Sequence, residues 1–248
     1  MNQFNNQFNK SSVGNAAQTD AGLRTFMLGT YRYMAMAMAV TATVAFFTGQ
    51  AMVENPELMA LVYNPFTAII SIVVIMFGFG AVGRKLPSMS KGGVLAFLFG
   101  FAAFMGVLMS AYATGFYNPY IVAKIFFMTV AMFGALSMFG YTTGFNLNAI
   151  IKYAAAAFIG YVAIGVVGMF IPQLSVTAGG PMAIIINLIG LAAIAVITAW
   201  ETQTLKRVYY SMAGNAQMLG KMSAYGAASL LLAFINMFQI LMSLFGRE

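Results

Sequence analysis

The strongest constraint on the fold of this chain is a series of long apolar stretches that contain almost no charge. Most are about 20 residues long, the length that an α-helix needs to cross the hydrocarbon core of a bilayer. Strands of a membrane β-barrel would alternate polar and apolar residues over about 10 positions, and these stretches do not alternate. The sequence therefore predicts an all-α polytopic membrane protein with about seven transmembrane helices, near residues 33–48, 62–82, 92–114, 120–141, 149–171, 182–203 and 222–245.

The composition leads to the same class of protein. Hydrophobic residues make up 61% of the chain and charged residues 7%, whereas a soluble domain has about 25% charged residues. The net charge of +7 indicates basic loops beside anionic lipid, because the basic residues cluster at the ends of the apolar stretches. We expect the lipid bilayer as a partner, and no nucleic acid.

The chain divides into two parts of unequal size. Residues 1–22 are polar and rich in Asn and Gln, and they lack the basic-then-apolar layout of a signal peptide. We expect this segment to be a flexible amino-terminal tail. Residues 23–248 contain no long repeat and no break in composition, which predicts a single seven-helix transmembrane domain.

Lysine and arginine in the short loops predict the orientation. The tail, the 84–91 loop, the start of the fifth stretch and the 206–221 connector are basic, and the alternate loops have no Lys or Arg apart from Lys124 at a helix end. The amino terminus is therefore predicted to be cytoplasmic and the carboxyl terminus outside.

The third apolar stretch has a stripe of small residues. At 100° per residue, one face of this helix collects Gly92, Ala96, Gly100, Gly106 and Ser110. Small residues allow the backbones of two membrane helices to approach closely. We therefore predict a helix-packing seam along this face.

Glu201 is the acidic residue that lies inside an apolar stretch, and the other four acids lie in the tail, in a loop and at the end of the chain. An ionisable group within a membrane is costly, so it marks a candidate site. The predicted helix ends place Glu201 about one turn inside the cytoplasmic face. It could be neutral, or it could be paired with a cation predicted on the same side, for which the candidates are Arg32, Arg84 and Lys85.

Several neutral polar residues share helix faces that should point into the bundle. Asn187 and Thr198 lie on the same face as Glu201, and Asn236 and Gln239 share a face of the last helix. These side chains need hydrogen-bond partners in hydrocarbon. They could bond between helices, or they could form an ion pathway or pH sensor together with Glu201.

The chain contains no Cys and no His. This excludes disulfides, thiolate and imidazole metal sites, and catalysis that depends on either group. No remaining pair of residues forms a credible activated nucleophile. We therefore expect no enzyme activity, no metal site and no cofactor.

Three motifs in order resemble those of a known family. These are FGALSMFGYTT at 133–143, TAWETQ at 198–203, and FINMF at 234–238 followed by LFG at 244–246. They are similar to the fourth-, sixth- and last-helix signatures of the bacterial branch of the Bax inhibitor-1 family, and the resemblance extends from about residue 21 to 247. It implies a seven-helix bundle with the last helix at its centre. It also implies a location in the bacterial inner membrane, with the mitochondrial inner membrane as the alternative.

The resemblance also implies a pair of aspartates, one on each of the last two helices, linked to a pH-sensitive calcium leak. Two close carboxylates share a proton and titrate together. This chain departs from the pattern at both positions, because the first acid is Glu201 and Ala233 stands where the second is expected. Calcium usually takes several oxygen ligands, so here it is expected only as a permeant ion.

Two functions follow from the incomplete pair. The first is a regulatory or scaffolding role in membrane-protein quality control, because the resemblance implies partners such as a membrane-anchored ATP-dependent protease or another membrane complex. The alternative is a pH-sensitive calcium or cation leak that uses Glu201.

Overall fold

The computed structural model describes residues 2–114, 117–177 and 179–246, without the side chains of residues 2–19 and 172. Within these residues the chain is helical and contains no strand. The α-helices are α1 (Asn2–Glu54), α2 (Pro56–Val62), α3 (Pro65–Lys85), α4 (Lys91–Met109), α5 (Pro119–Thr142), α6 (Ile151–Phe170), α7 (Gly180–Ser211) and α8 (Ala216–Phe245).

Seven of these helices are long and apolar enough to cross a bilayer, counted over the described ranges. They correspond one to one with the seven predicted stretches, so the prediction of an all-α polytopic membrane protein is confirmed. Two boundaries differ notably. The first predicted span, 33–48, lies inside the much longer α1, and α7 continues to Ser211 rather than ending near 203. The short α2 was not predicted.

The predicted tail falls on the first part of α1. The backbone of α1 is helical from Asn2, whereas the sequence led us to expect a flexible segment over residues 1–22. The side chains of residues 1–19 lie outside the described residues. The division into a tail and a bundle at residue 22 stays a prediction.

Local sequence explains where several helices begin. The side chain of Asn64 accepts a hydrogen bond from the backbone N–H of Thr67 at 2.9 Å, just before Pro65. Asn118 accepts one from Tyr120 at 2.9 Å, just before Pro119. An Asn cap satisfies a free N–H of the first turn, and Pro tolerates the first helical position because it has no N–H to satisfy.

The last helix, α8, forms the centre of the bundle. It packs against α1, α4, α5 and α7, which confirms that the last helix is central. Lipid chains are as apolar as these side chains, so close packing and hydrogen bonds hold such helices together. The largest fully buried side chains of α8 are Leu230, Leu231, Met237 and Ile240.

The polar side chains of α8 are satisfied by a different neighbouring segment at each level. Ser223 and Thr30 of α1 share a hydrogen bond of 3.0 Å. Three more side chains donate to backbone carbonyl oxygens: Lys221 to Pro87 at 3.0 Å, Tyr225 to Phe79 at 3.2 Å and Ser243 to Val176 at 3.0 Å. A buried polar group costs free energy when it is left unpaired, so these bonds fix the position of α8 along its axis.

The small-residue stripe of α4 does not form the predicted seam over its whole length. Gly92, Ala96 and Gly100 are exposed, so the prediction is wrong for these three residues. Gly106 and Ser110 are buried, and a Cβ at Gly106 would lie 2.7 Å from the backbone oxygen of Thr41 on α1.

The physical reason is that α4 turns its larger apolar side chains towards the bundle. Val94, Leu98 and Met105 are buried on the face opposite the stripe. Of the stripe residues, Gly100 lines a gap of about 250 Å³ between α3 and α4. Small residues here leave space instead of a close helix contact.

The backbones of α5 and α7 approach each other closely at Gly140. A Cβ there would lie 2.8 Å from the carbonyl carbon of Ala199, a separation that requires the backbone of α7 to move. Gly134, six residues earlier on the same helix, has no atom within 4 Å of such a Cβ. The two glycines therefore offer a matched pair for testing the packing of α5 on α7.

We expect Gly140→Ala to lower the free energy of unfolding by about 1–3 kcal/mol, because an added methyl group overpacks this contact. Gly134→Ala should be neutral or stabilising, since Ala favours the helix by about 0.5–1 kcal/mol over Gly. Thermal unfolding of both purified variants in detergent measures the difference. Equal melting temperatures for the two variants would contradict the α5–α7 contact.

Candidate functional site

The candidate site lies where α7 faces α8, around Glu201. Because α7 continues to Ser211, Glu201 lies ten residues before the helix end, about 15 Å along the axis. The helix therefore ends later than predicted, and the depth of Glu201 below the cytoplasmic face stays a prediction. The two helices are antiparallel and joined by a short connector, in which Gly214 has a φ of 95° that favours glycine.

The Glu201 carboxyl group has one hydrogen-bond partner within the described residues. The hydroxyl of Ser229 on α8 donates to Oε1 at 2.6 Å. The other oxygen, Oε2, is buried and accepts no hydrogen bond from any described residue. A short bond to a carboxyl oxygen is a strong one, so Ser229 ties the acid to the central helix.

The three predicted ion-pair partners do not reach Glu201 in this structure. Arg32, Arg84 and Lys85 are all exposed, and the Nε of Arg84 donates to the backbone oxygen of Gly80 on its own helix at 3.2 Å. Arg84 and Lys85 lie in the last turn of α3, where long cationic side chains extend towards water. The predicted ion pair is therefore absent among the described residues, and a neutral hydroxyl takes its place.

The neutral candidates are spread along the bundle. The hydroxyl of Thr198 is buried and donates to the Ile194 oxygen at 2.8 Å. Asn187 is buried at the other end of α7, where its Nδ2 donates to the oxygens of Val176 and Ala183, both at 2.8 Å.

The remaining two candidates belong to α8 and are half-buried. The side chain of Asn236 donates to the Leu232 oxygen at 2.9 Å, so it satisfies its own helix. From Ser229, Asn236 is seven residues and Gln239 ten residues further along, or about 10 and 15 Å. Neither is level with Glu201.

Ala233 lies one turn beyond Ser229 on α8. It is 2% exposed, which leaves no solvated space at this position for a second acid. Within the described residues, the Glu201 carboxyl group therefore has the Ser229 hydroxyl as its hydrogen-bond partner and no second acid beside it at position 233. The part of the chain that the structure describes holds no group of three or more Asp, Glu, His or Cys side chains that could bind a metal ion.

The residues around Glu201 also make hydrogen bonds that the sequence did not predict. These bonds attach α7 to the connection between α5 and α6. Trp200 Nε1 and Arg207 Nη2 both donate to Asn148 Oδ1, at 2.7 and 3.1 Å. Gln203 Nε2 donates to the Phe145 oxygen at 2.8 Å.

A fourth contact completes this arrangement, since Lys206 Nζ donates to the Tyr141 oxygen at 3.0 Å. The only signal in the sequence was the concentration of polar residues after Trp200. Because α7 runs on to Ser211, these residues form a polar helix face and not a loop.

Comparison with known proteins decides the family. A family profile described as "Inhibitor of apoptosis-promoting Bax1" matches residues 23–248, which covers every transmembrane helix and both positions of the expected acid pair. The chain belongs to the Bax inhibitor-1 family. The resemblance seen in the three sequence motifs is thereby confirmed.

Bacterial proteins match almost the whole chain. An uncharacterized protein of Caulobacter vibrioides is 31% identical, over 99% of this chain and 98% of its own length. The inner membrane protein YbhL of Escherichia coli K12 is 28% identical, over 93% of this chain and 95% of its own. An uncharacterized membrane protein of Streptococcus pyogenes is 29% identical, over 93% and 96%.

We expect Ser229→Ala to destabilise the protein by about 1–3 kcal/mol, because it leaves a buried carboxyl oxygen without its donor. Glu201→Gln keeps an acceptor for Ser229 and should cost less. Unfolding of both single variants and the double variant, measured in one detergent, gives the coupling between the two residues. Additive effects would contradict a direct bond.

Proposed function

We propose that this Bax inhibitor-1 family protein has a regulatory or scaffolding role in a bacterial inner membrane, without enzyme activity. It would act in membrane-protein quality control, assembled with a larger membrane complex such as a membrane-anchored ATP-dependent protease. The observation that carries this proposal is the α7–α8 contact, where Glu201 bonds to Ser229 and Ala233 fills the second acid position. The chain therefore has the helical bundle that the family resemblance implies, but only one of the two expected acids.

The spacing of the polar residues argues against a cation site of the family kind. Calcium is held by 6–8 oxygens at 2.3–2.6 Å, so its ligands must converge on one point. Asn187 precedes Glu201 by fourteen residues, about 21 Å along α7, and Gln239 is about 15 Å from Ser229 along α8. One carboxyl group and one hydroxyl group supply too few ligands at the level of Glu201.

The alternative is a pH-sensitive cation leak that uses Glu201 alone. One observation favours it, which is that Oε2 of Glu201 is buried with no hydrogen-bond donor among the described residues. A free acceptor in a protein interior can bind a proton or a passing cation. In this reading Thr198, Asn187, Asn236 and Gln239 would be separate steps along a path.

Calcium flux into proteoliposomes separates the two functions. We expect the wild-type protein to give no flux above empty liposomes between pH 6 and pH 8, because a lone carboxyl group makes a poor calcium site. Restoring the second acid with Ala233→Asp should raise flux and make it depend on pH, since two close carboxyl groups share a proton. Ala233→Asn is the matched control of nearly equal size and should give no flux.

Flux through the wild-type protein that Glu201→Gln abolishes would overturn the scaffold proposal and support the leak. Because Ala233 is buried, size-exclusion profiles and thermal unfolding must first show that Ala233→Asp and Ala233→Asn are equally folded. If Ala233→Asp does not fold, Ser229→Asp offers a second route to an acid pair, with Ser229→Asn as its control.

The scaffold proposal also predicts a stable assembly. The protein is tagged, expressed at its natural level and extracted in a mild detergent. On a native gel it should migrate well above its own 26.6 kDa, together with subunits of an ATP-dependent protease. Glu201→Gln should leave this assembly unchanged, because the acid faces α8 and not the outside of the bundle. Migration as a single chain without a partner would contradict the proposal.

A further inference from the structure

A long groove runs along the outside of the bundle between α1 and α5. Both helices pack on α8, and the space between them has a volume of about 780 Å³. Its floor includes Phe133 and Phe234, whose ring centroids are 5.6 Å apart. We call this space the α1–α5 groove, and its volume is in the range of about 300–1,000 Å³ that is typical of small-molecule sites.

The groove has the length of one leaflet. Along α1 it extends from Arg24 to Met38, fourteen residues or about 21 Å. Along α5 it extends from Thr142 back to Val130, twelve residues or about 18 Å. Half of the hydrocarbon core is about 15 Å, and the interfacial layer adds about 5–7 Å.

The groove has room for an extended hydrocarbon chain along its length. A volume of about 780 Å³ spread over about 20 Å gives a mean cross-section of about 40 Å². The charge at one end of the groove then decides which kind of molecule fits it.

One end of the groove carries positive charge. Arg24 is exposed and is the charged residue among those that line it. Lys206 reaches the same end, because its Nζ donates to the oxygen of Tyr141 and lies 5.0 Å from the centroid of that ring, and Tyr141 lines the groove. Asp20 is one turn before Arg24 on α1 but does not line the groove.

A buried hydroxyl lies just below this end. Ser137 lines the groove, is 5% exposed, and its Oγ has no hydrogen-bond partner among the described residues. It precedes Thr142 by five residues, about 7 Å along α5. This depth below a phosphate at Arg24 is where the ester carbonyl groups of a phospholipid lie, and a carbonyl oxygen is the acceptor that a lone hydroxyl needs.

We propose that the α1–α5 groove is a binding site for an anionic phospholipid. The acyl chain occupies the apolar length of the groove, the phosphate is held by Arg24 and Lys206, and Ser137 donates to an ester carbonyl oxygen. Basic pockets beside membrane helices bind lipid headgroups in this way. The site is distinct from Glu201 and does not depend on the function proposed above.

Native mass spectrometry of the full-length protein in detergent tests the site. Dioleoyl phosphatidylglycerol and dioleoyl phosphatidylcholine are added at equal concentrations, so that the acyl chains are the same and the net charge of the headgroup differs. We expect about tenfold more phosphatidylglycerol to be retained, because both lipids carry an anionic phosphate but Arg24 and Lys206 repel the choline cation. Replacing both cations, Arg24→Gln with Lys206→Gln, should remove this preference.

Two leucine substitutions test whether the groove is the place of binding. Gly134 lines the groove with no atom within 4 Å of an added Cβ, so Gly134→Leu fills it without a clash and should reduce the retention of both lipids. Gly160→Leu is the matched control, because Gly160 is exposed on α6 with the same open surroundings and does not line the groove. It should leave retention unchanged.

Should Gly134→Leu fail to fold, Ala35→Phe fills the groove from α1, where Ala35 is exposed. Equal retention of the two lipids by the wild-type protein would overturn the proposal. So would unchanged retention in a folded groove-filling variant. A groove-filling variant that dissociates a dimer while retaining lipid normally would assign the groove to a second copy of the chain and would also overturn it.

Discussion

The contacts of the other helices are organised around α8 at the centre of the bundle, where no residue between Lys221 and Met242 is exposed. A helix in that position cannot satisfy its polar side chains with water, so most of them bond to a neighbouring segment, and Asn236 bonds to the backbone of α8 itself. The partners differ from level to level, which fixes both the rotation and the axial position of α8. From the start of the helix to its end, they are the α3–α4 loop through Pro87, α1 through Thr30, α3 through Phe79, α7 through Glu201, and the loop before α7 through Val176.

This arrangement explains how an acid is accommodated in the α7–α8 contact. The Glu201 carboxyl group belongs to the same series of polar contacts as the hydroxyl and carbonyl groups above and below it. Its partner is the neutral Ser229, and the exposed arginines and lysines at the helix ends are left free for water and lipid headgroups. Arg24, Arg32, Arg84 and Lys85 therefore lie at the surface of the bundle, and Arg24 lies at one end of the apolar α1–α5 groove.

The sequence predicts the helices well because apolar length and basic loops are local signals. It predicts the family because three motifs carry specific residues. It could not predict the partner of Glu201, because that requires the register between α7 and α8, and the register depends on where α7 ends. With the helix ending at Ser211 and the next beginning at Ala216, antiparallel pairing brings Glu201 to within about one turn of Ser229. The packing seam predicted from the small residues of α4 failed for a related reason. Periodicity shows which residues share a helix face, but it does not show which neighbouring helix that face contacts.

A single carboxyl group and a pair of adjacent carboxyl groups titrate in different ways. Two carboxyl groups in contact hold a proton between them, so that its loss leaves two negative charges that repel each other or attract a cation. A carboxyl group bonded to a hydroxyl has no state in which two acids share one proton, because the Ser229 hydroxyl does not ionise in the physiological range. Loss of a proton from Glu201 leaves a single charge that the same hydroxyl still stabilises. The α7–α8 contact at Ala233 therefore lacks the coupled step on which a two-acid switch depends, although every helix that would respond to such a switch is in place.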